Sequence, residues 1–308
     1  MLEQENNRLT ISRSHTLGTD LSVGALAYGC WRLAGTGADE AAVKIGTALD
    51  AGMTLIDTAD IYGGSGPDGF GEAEALLGDV LAANPTLRGR MVLATKGGIV
   101  RGLPYNSTKD YLIRACEASL KRLKTDVIDL YQIHRPDLLT GHDEVADALL
   151  ALQYQGKIRE IGVSNYTPDQ SRALETHLGF PVASQQPEFS ALEISPLFDG
   201  VLDHAMATGA RILAWSPLAG GALLSDAAEA TGKAKAVITV LDRLANAYGT
   251  DRTAVALAFL LAHPSGVIPI IGTQTPARIT AATAAFDVPL TRRDWYDILE
   301  ASRGARMP

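Results

Sequence analysis

Eight short β-type runs alternate with longer helical patterns along this chain, and that alternation limits its fold more than any other feature. The runs are LSVGALAYG (21–29), TLIDTA (54–59), MVLATK (91–96), VIDLYQIH (127–134), REIGVSN (159–165), VASQQPEF (182–189), RILAWSP (211–217) and GVIPIIG (266–272). Segments such as DEAAVKIGTALDAG (39–52) and TKDYLIRACEASLKRLKT (108–125) lie between them. In the second of these, Leu112, Ala115, Cys116, Leu120 and Leu123 recur at helical spacing, with charges on the other face. Parallel strands need long crossovers, usually helical, so the pattern predicts a parallel sheet. Eight such units close into a (β/α)8 barrel of about 250 residues, and 308 residues leave room for additions.

Three additions are expected. Residues 8–17 (RLTISRSHTL) alternate ahead of the first strand and predict a β-hairpin plugging the barrel floor. An extra helix is expected over 234–249 after the seventh strand, and a terminal helix over 291–304. Asp39, Thr167-Pro168 and Thr275-Pro276 read as helix starts. With no composition shift or flexible linker, residues 1–308 are expected to form one domain.

Hydrophobic residues make up 46% and charged residues 20%, which supports a large core and excludes general disorder. The net charge of −8 argues against nucleic acid or an anionic membrane as partner, though not against a local phosphate site. Cys30 and Cys116 form neither a disulfide framework nor a zinc pattern, and no metal is expected. The start lacks an apolar signal core, and no run approaches the ~20 apolar residues of a membrane span. A cytoplasmic protein is expected; its oligomeric state is not legible.

Chemistry in such barrels gathers at the carboxyl ends of the strands. Strand two ends in Asp57, and Tyr62 follows in its loop; strand three ends in Lys96 and strand four in His134. Lys96 lies in the apolar context VLATKGG, where an unpaired ammonium would be costly, so Asp57 is the expected counter-ion. An ammonium beside Tyr62 would stabilise the phenolate and lower its pKa from about 10, giving a proton donor next to a histidine that binds a substrate oxygen. Such a pair suits protonation of the alkoxide that forms when a carbonyl accepts hydride. A rival constellation, His134 with His142 and Asp143 as metal ligands, is disfavoured because the last two read as a helix start.

The set Asp57, Tyr62, Lys96 and His134, in DTADIYGG, ATKGG and QIHRPD, resembles the tetrad of the aldo-keto reductases. GKIREIGVSNYTP (156–168), AWSPLAGG (214–221) and GTQTPARI (272–279) are similar to later signatures of that family, in order from about residue 20 to 290. YGCWRLAG (28–35) resembles the opening of a bacterial oxidoreductase subgroup. The resemblance implies a TIM barrel that binds NADPH without a Rossmann domain, and no GxGxxG follows the first strand.

By that resemblance Tyr62 is the general acid, Lys96 tunes it, Asp57 holds Lys96, and His134 orients the carbonyl. Ser164, Asn165 and Gln186 match positions that bind the nicotinamide carboxamide, and Trp215 stands where a tyrosine usually stacks on the ring. Ser216, Leu218 and Gly220 match the pyrophosphate loop. Gly29 and Cys30 fall on the cofactor side of the first strand's end, and Trp31 joins Tyr62 and His134 around the small carbonyl substrate. Gly272, Thr273, Gln274 and Arg278 match the 2′-phosphate segment. There Gly272 replaces a lysine common in relatives, so NADH is expected as a weaker alternative. The short connection after His134 predicts an open pocket accepting several aldehydes or ketones. The family also includes potassium-channel β-subunits, so a cofactor-binding regulatory subunit is the alternative to a metabolic reductase.

Overall fold

The computed structural model describes residues 7–64 and 69–308. Eight parallel strands close into a barrel: β3 (Ala27–Gly29), β4 (Leu55–Asp57), β5 (Val92–Gly97), β8 (Ile128–Ile133), β9 (Ile158–Ser164), β10 (Ser184–Gln186), β11 (Arg211–Ala214) and β12 (Val267–Ile271), which returns to β3. All eight expected strands are present in the expected order. Helices α1 (Ala38–Asp50), α2 (Glu72–Ala83), α3 (Lys109–Leu123), α4 (His142–Tyr154), α5 (Pro168–Leu178), α6 (Val201–Thr208), α8 (Arg252–Leu261) and α9 (Pro276–Ala281) follow successive strands around the barrel. This is the (β/α)8 TIM barrel.

The barrel floor differs from the expectation in detail. The hairpin is formed by β1 (Ser14–Leu17) and β2 (Leu21–Gly24), registered Ser14 to Gly24 and Leu17 to Leu21. Residues 21–24, expected in the first barrel strand, therefore belong to the hairpin, and β3 keeps only three residues. Gly24 marks the break: its N–H bonds Thr54 Oγ1 at 2.9 Å, and a Cβ there would lie 1.9 Å from Gly52 O. Residues 8–11 run beside the carboxyl-terminal segment instead, with Leu9 N–H donating to Leu290 O. Leu17, Leu21 and Val23 join one apolar cluster with Leu55, Val92, Leu130, Leu213 and Ile268 of the barrel strands, so the hairpin packs against the barrel interior.

The added helices lie where periodicity places them. α7 (Gly232–Tyr248) precedes α8 after the seventh strand, and α10 (Arg292–Arg303) closes the chain. Trp295 of α10 stacks on Phe259 of α8 with ring centroids 4.9 Å apart, and its indole N–H bonds Phe259 O. A second hairpin, β6 (Ile99–Val100) with β7 (Leu103–Tyr105), stands above β5 in a stretch expected to be loop. Thr167 and Thr291 each form a reciprocal cap with the residue three positions on, worth about 1 kcal/mol apiece. Asp39 is not a cap: Gly37 holds that place and Asp39 sits in the first turn, where its charge favours the helix dipole. Thr275 occupies the cap position of α9 without a side-chain bond. No helix among the described residues is long and apolar enough to cross a membrane.

Candidate active site

Three adjacent strands deliver the tetrad to one rim. Asp57 ends β4, Lys96 lies near the end of β5, and His134 directly follows β8, its backbone N–H bonded to Gly97 O. Tyr62 sits in the loop after β4, held by backbone bonds from its N–H to Ala59 O and from Ala73 N–H to its own carbonyl. Lys96, with no exposed surface, directs all three ammonium protons to local partners. They go to Asp57 Oδ2 at 2.6 Å, Thr58 O at 2.8 Å and the Tyr62 hydroxyl at 3.3 Å. The imidazole of His134 meets the Tyr62 ring edge-on, centroids 5.8 Å apart.

Asp57 Oδ1 accepts from Gln132 Nε2 at 3.2 Å and Gln186 Nε2 at 3.0 Å, and Gln186 Nε2 also contacts Gln132 Oε1. Gln132 was not among the expected residues. It lies two positions before His134, hence on the same inward face of its strand, and that parity was the available signal.

The electrostatics differ from the expectation for Tyr62. Burial raises the phenol above its ordinary pKa; Lys96 pulls it down, but Asp57 pushes back, and the net direction is upward. The resting site therefore holds a protonated phenol with an ammonium poised on its oxygen. Burial alone would weaken the Lys96 ammonium, yet Asp57 and then Tyr62 hold it protonated, above the ordinary lysine value. His134 is driven well below its usual pKa, first by burial and then by Lys96 and Arg135, so the imidazole is neutral. Its Nδ1 is buried with no hydrogen-bond partner among the described residues.

This carries a pH consequence. A histidine with a depressed folded-state pKa takes up its proton more readily when unfolded, so its stabilising contribution is present above about 6.5 and lost as pH falls below it. His15, His142 and His263 are depressed as well, each mainly by burial. Thermal midpoints are expected to fall from pH 7 to pH 5, and the His134→Gln variant is expected to fall less steeply than wild type. Parallel curves for the two proteins would contradict a neutral buried His134.

A cleft of about 1280 Å³ runs from this rim across the barrel mouth. Gly29, Trp31, Asp57, Tyr62, His134, Ser164, Asn165, Gln186, Trp215, Ser216, Leu218, Gly220, Gly272, Thr273, Gln274 and Arg278 line it, so the structure brings nearly all the expected residues to one wall. Cys30 does not join them. It is fully buried, its N–H bonded to Asp57 O, and burial pushes its thiol up, so it does not reach the cofactor side where it was expected. His142 packs toward Tyr166 at the start of α4, and no group of three His, Cys, Asp or Glu among the described residues has the geometry to hold a metal.

The polar side chains beside the tetrad are locked to one another. Asn165, at φ +58°, donates from Nδ2 to His134 O and Ser164 Oγ and accepts from the Trp215 indole at 3.1 Å. Ser164 Oγ donates to Gln186 O. Trp215 is thus fixed as a rigid wall, and Arg135 lies over it at 5.9 Å. Beyond it, Ser216, Ala219, Gly220 and Gly221 all have positive φ, and nothing lies within 4 Å of where a Cβ would stand on either glycine. Backbone strain concentrated at one loop beside a cleft is a mark of function. Arg252, also missed from sequence, braces this loop: it grips Asp242 with two bonds and donates to Leu223 O and Ser225 O. At the far end Arg278 is exposed, with no ion pair to any described residue.

A long cleft with an aromatic wall, an open glycine loop and a free guanidinium suits a dinucleotide with anionic groups along its length. Comparison with known proteins agrees. Residues 25–303 match the model of the Aldo/keto reductase family. The chain is 51% identical over 290 residues to a 6-dehydroglucose reductase of Novosphingobium aromaticivorans, covering 94% of each, and 35% identical to a second protein so named from Agrobacterium fabrum, covering 94% of this chain and 97% of that one. Its fold matches a solved glycerol dehydrogenase of Gluconobacter oxydans with a TM-score of 0.81 at 28% identity, over 98% of both chains. Rim, cleft and family model converge: the chain belongs to the aldo-keto reductase family and is an oxidoreductase of carbonyl and alcohol groups.

Proposed function

We propose that this chain is an NADPH-dependent reductase of a hydroxylated aldehyde of the 6-dehydroglucose type, built as one barrel domain, with Tyr62 as the proton donor. The observation that carries the reading is the Tyr62 hydroxyl on Lys96 Nζ, opposite a neutral His134, at the head of a dinucleotide-sized cleft. The two relatives named for 6-dehydroglucose support the substrate class.

A reduced nicotinamide bound at the cleft would supply the hydride for the carbonyl carbon. Ser164, Asn165 and Gln186 would hold its carboxamide, and Trp215 would form the wall beside it. His134 donates from Nε2–H to the carbonyl oxygen and orients it. As that oxygen gains charge, Tyr62 gives up its phenolic proton, forming the alcohol. Lys96 then faces a phenolate, and the interaction that opposes burial in the resting state grows as the proton leaves. The catalytic gain thus lies in the transition state and not in a lowered resting pKa. Trp31, 62% exposed, leaves the substrate side open, in keeping with a polar substrate of several hydroxyls.

At the other end Arg278 is the cation for the cofactor's 2′-phosphate. The Arg278→Ala variant is expected to lose ~10–100-fold in preference for NADPH over NADH, measured as kcat/KM with each cofactor and glucose 6-aldehyde. Full NADPH preference in the variant would remove this assignment. Aldehyde turnover absent from the wild type, with cofactor tightly retained, would favour a cofactor-sensing subunit instead.

A further inference from the structure

Helix α1 lies against α9, the short helix that carries Arg278, and Lys44 stands on that contact with only 1% of its surface exposed. Its ammonium is 2.8 Å from Glu40 Oε1, one turn earlier, and donates to Gln274 Oε1 at 3.1 Å. Gln274 belongs to the segment that lines the far end of the cleft. With its Oε1 held by Lys44, the amide turns Nε2 toward the Tyr28 hydroxyl at 3.3 Å and the Gly272 carbonyl at 3.5 Å. A buried ammonium thus bonds directly to a residue of the cleft wall.

Packing alone does not account for Lys44. An apolar side chain would fill the α1–α9 contact without burying a charge. Its acid partner does not cancel it fully, because Glu40 is 62% exposed and solvent screens that carboxylate more than the buried ammonium. Lys44 also polarises the amide of Gln274, which lines the cleft.

We propose that Lys44, acting through Gln274, supplies the second positive charge of the cofactor's 2′-phosphate site, with Glu40 setting its strength. The proposal rests on the NADPH reading above and deepens it. Lys44 and Glu40 are positioning residues: neither has to touch the phosphate. A unit charge changed at several ångströms from a phosphate dianion, with partial solvent screening, alters affinity by about threefold to tenfold. Losing Lys44 weakens the phosphate's hold, and neutralising Glu40 strengthens it. A purely structural ion pair would predict no such opposition of sign.

The test is calorimetric titration of adenosine 2′,5′-bisphosphate and adenosine 5′-monophosphate, which differ only in the 2′-phosphate, into wild type, Lys44→Met, Glu40→Gln and Arg278→Ala. The wild type is expected to prefer the bisphosphate. Lys44→Met should weaken bisphosphate binding about fivefold and Glu40→Gln tighten it about threefold, each changing monophosphate binding less than about twofold. Glu40 is exposed, so its variant keeps the test decisive if Lys44→Met folds poorly. Bisphosphate affinity unmoved by Glu40→Gln, or both ligands shifting together, would overturn the proposal. If Arg278→Ala alone abolishes the preference, the NADPH reading stands and the role of Lys44 falls. If the wild type does not prefer the bisphosphate, both fall.

Discussion

Replacing Tyr62 with phenylalanine is expected to reduce carbonyl turnover by roughly 10²–10⁴-fold, the range associated with loss of a positioned proton donor. Only the hydroxyl is removed. The ring keeps its edge-on contact with His134, and Lys96 keeps its bonds to Asp57 and Thr58 O. Trp215, Asn165 and Arg278 are untouched, so the dissociation constant for NADPH should remain within about threefold of wild type by fluorescence titration. The loss should therefore appear in kcat rather than in cofactor binding. Because burial already holds the phenol protonated, activity should not require a low-pH form of Tyr62. Turnover by Tyr62→Phe within a few-fold of wild type would assign the proton to another group.

Lys96→Met is expected to cost the fold as well as the chemistry. Asp57 and Lys96 are both sealed from solvent, and their 2.6 Å contact is the main compensation for burying either charge. Removing one member of such a pair leaves an uncompensated charge and costs about 3–5 kcal/mol. At roughly 2–4 °C per kcal/mol for a large domain, the thermal midpoint should drop by about 6–20 °C. The double variant Asp57→Asn, Lys96→Met should regain most of that loss, since it buries no net charge and the substituted amide oxygen can still accept from Gln132 and Gln186. Both proteins should be inactive, so calorimetric melting distinguishes them where kinetics cannot. If the double variant melts no higher than Lys96→Met, the buried carboxylate is not the source of the cost.

The barrel was legible because eight apolar runs, separated by helical spacings, leave few alternatives once crossovers must be helical. The tetrad was legible for the same reason: Asp57, Lys96 and His134 mark strand ends, and strand order makes them neighbours. Boundaries were less so. Residues 21–29 read as one strand, yet Gly24 lies too close to Gly52 for any side chain, and the chain turns there from floor to wall. Residues 99–105 gave no hairpin signal because two- and three-residue strands leave no measurable alternation.

Other features depend on distance in space. Arg252 reads as an ordinary first-turn residue until Asp242 and the loop carbonyls close around it. Lys44 and Glu40 stand one helical turn apart and drew no reading from the sequence; only the approach of Gln274, 230 residues away, gives Lys44 a meaning. The sign of the Tyr62 shift was also hidden, because adjacency to Lys96 is visible in a motif whereas the burial that outweighs it is not.

The claim that matters most is that a carbonyl is reduced at this rim. It is tested most directly by loading the wild-type protein with NADPH, adding glucose 6-aldehyde and measuring both cofactor consumed and alcohol formed. Glucose should appear in one-to-one proportion with the NADPH lost. Unchanged aldehyde beside bound, unoxidised NADPH would contradict the reductase assignment for this substrate.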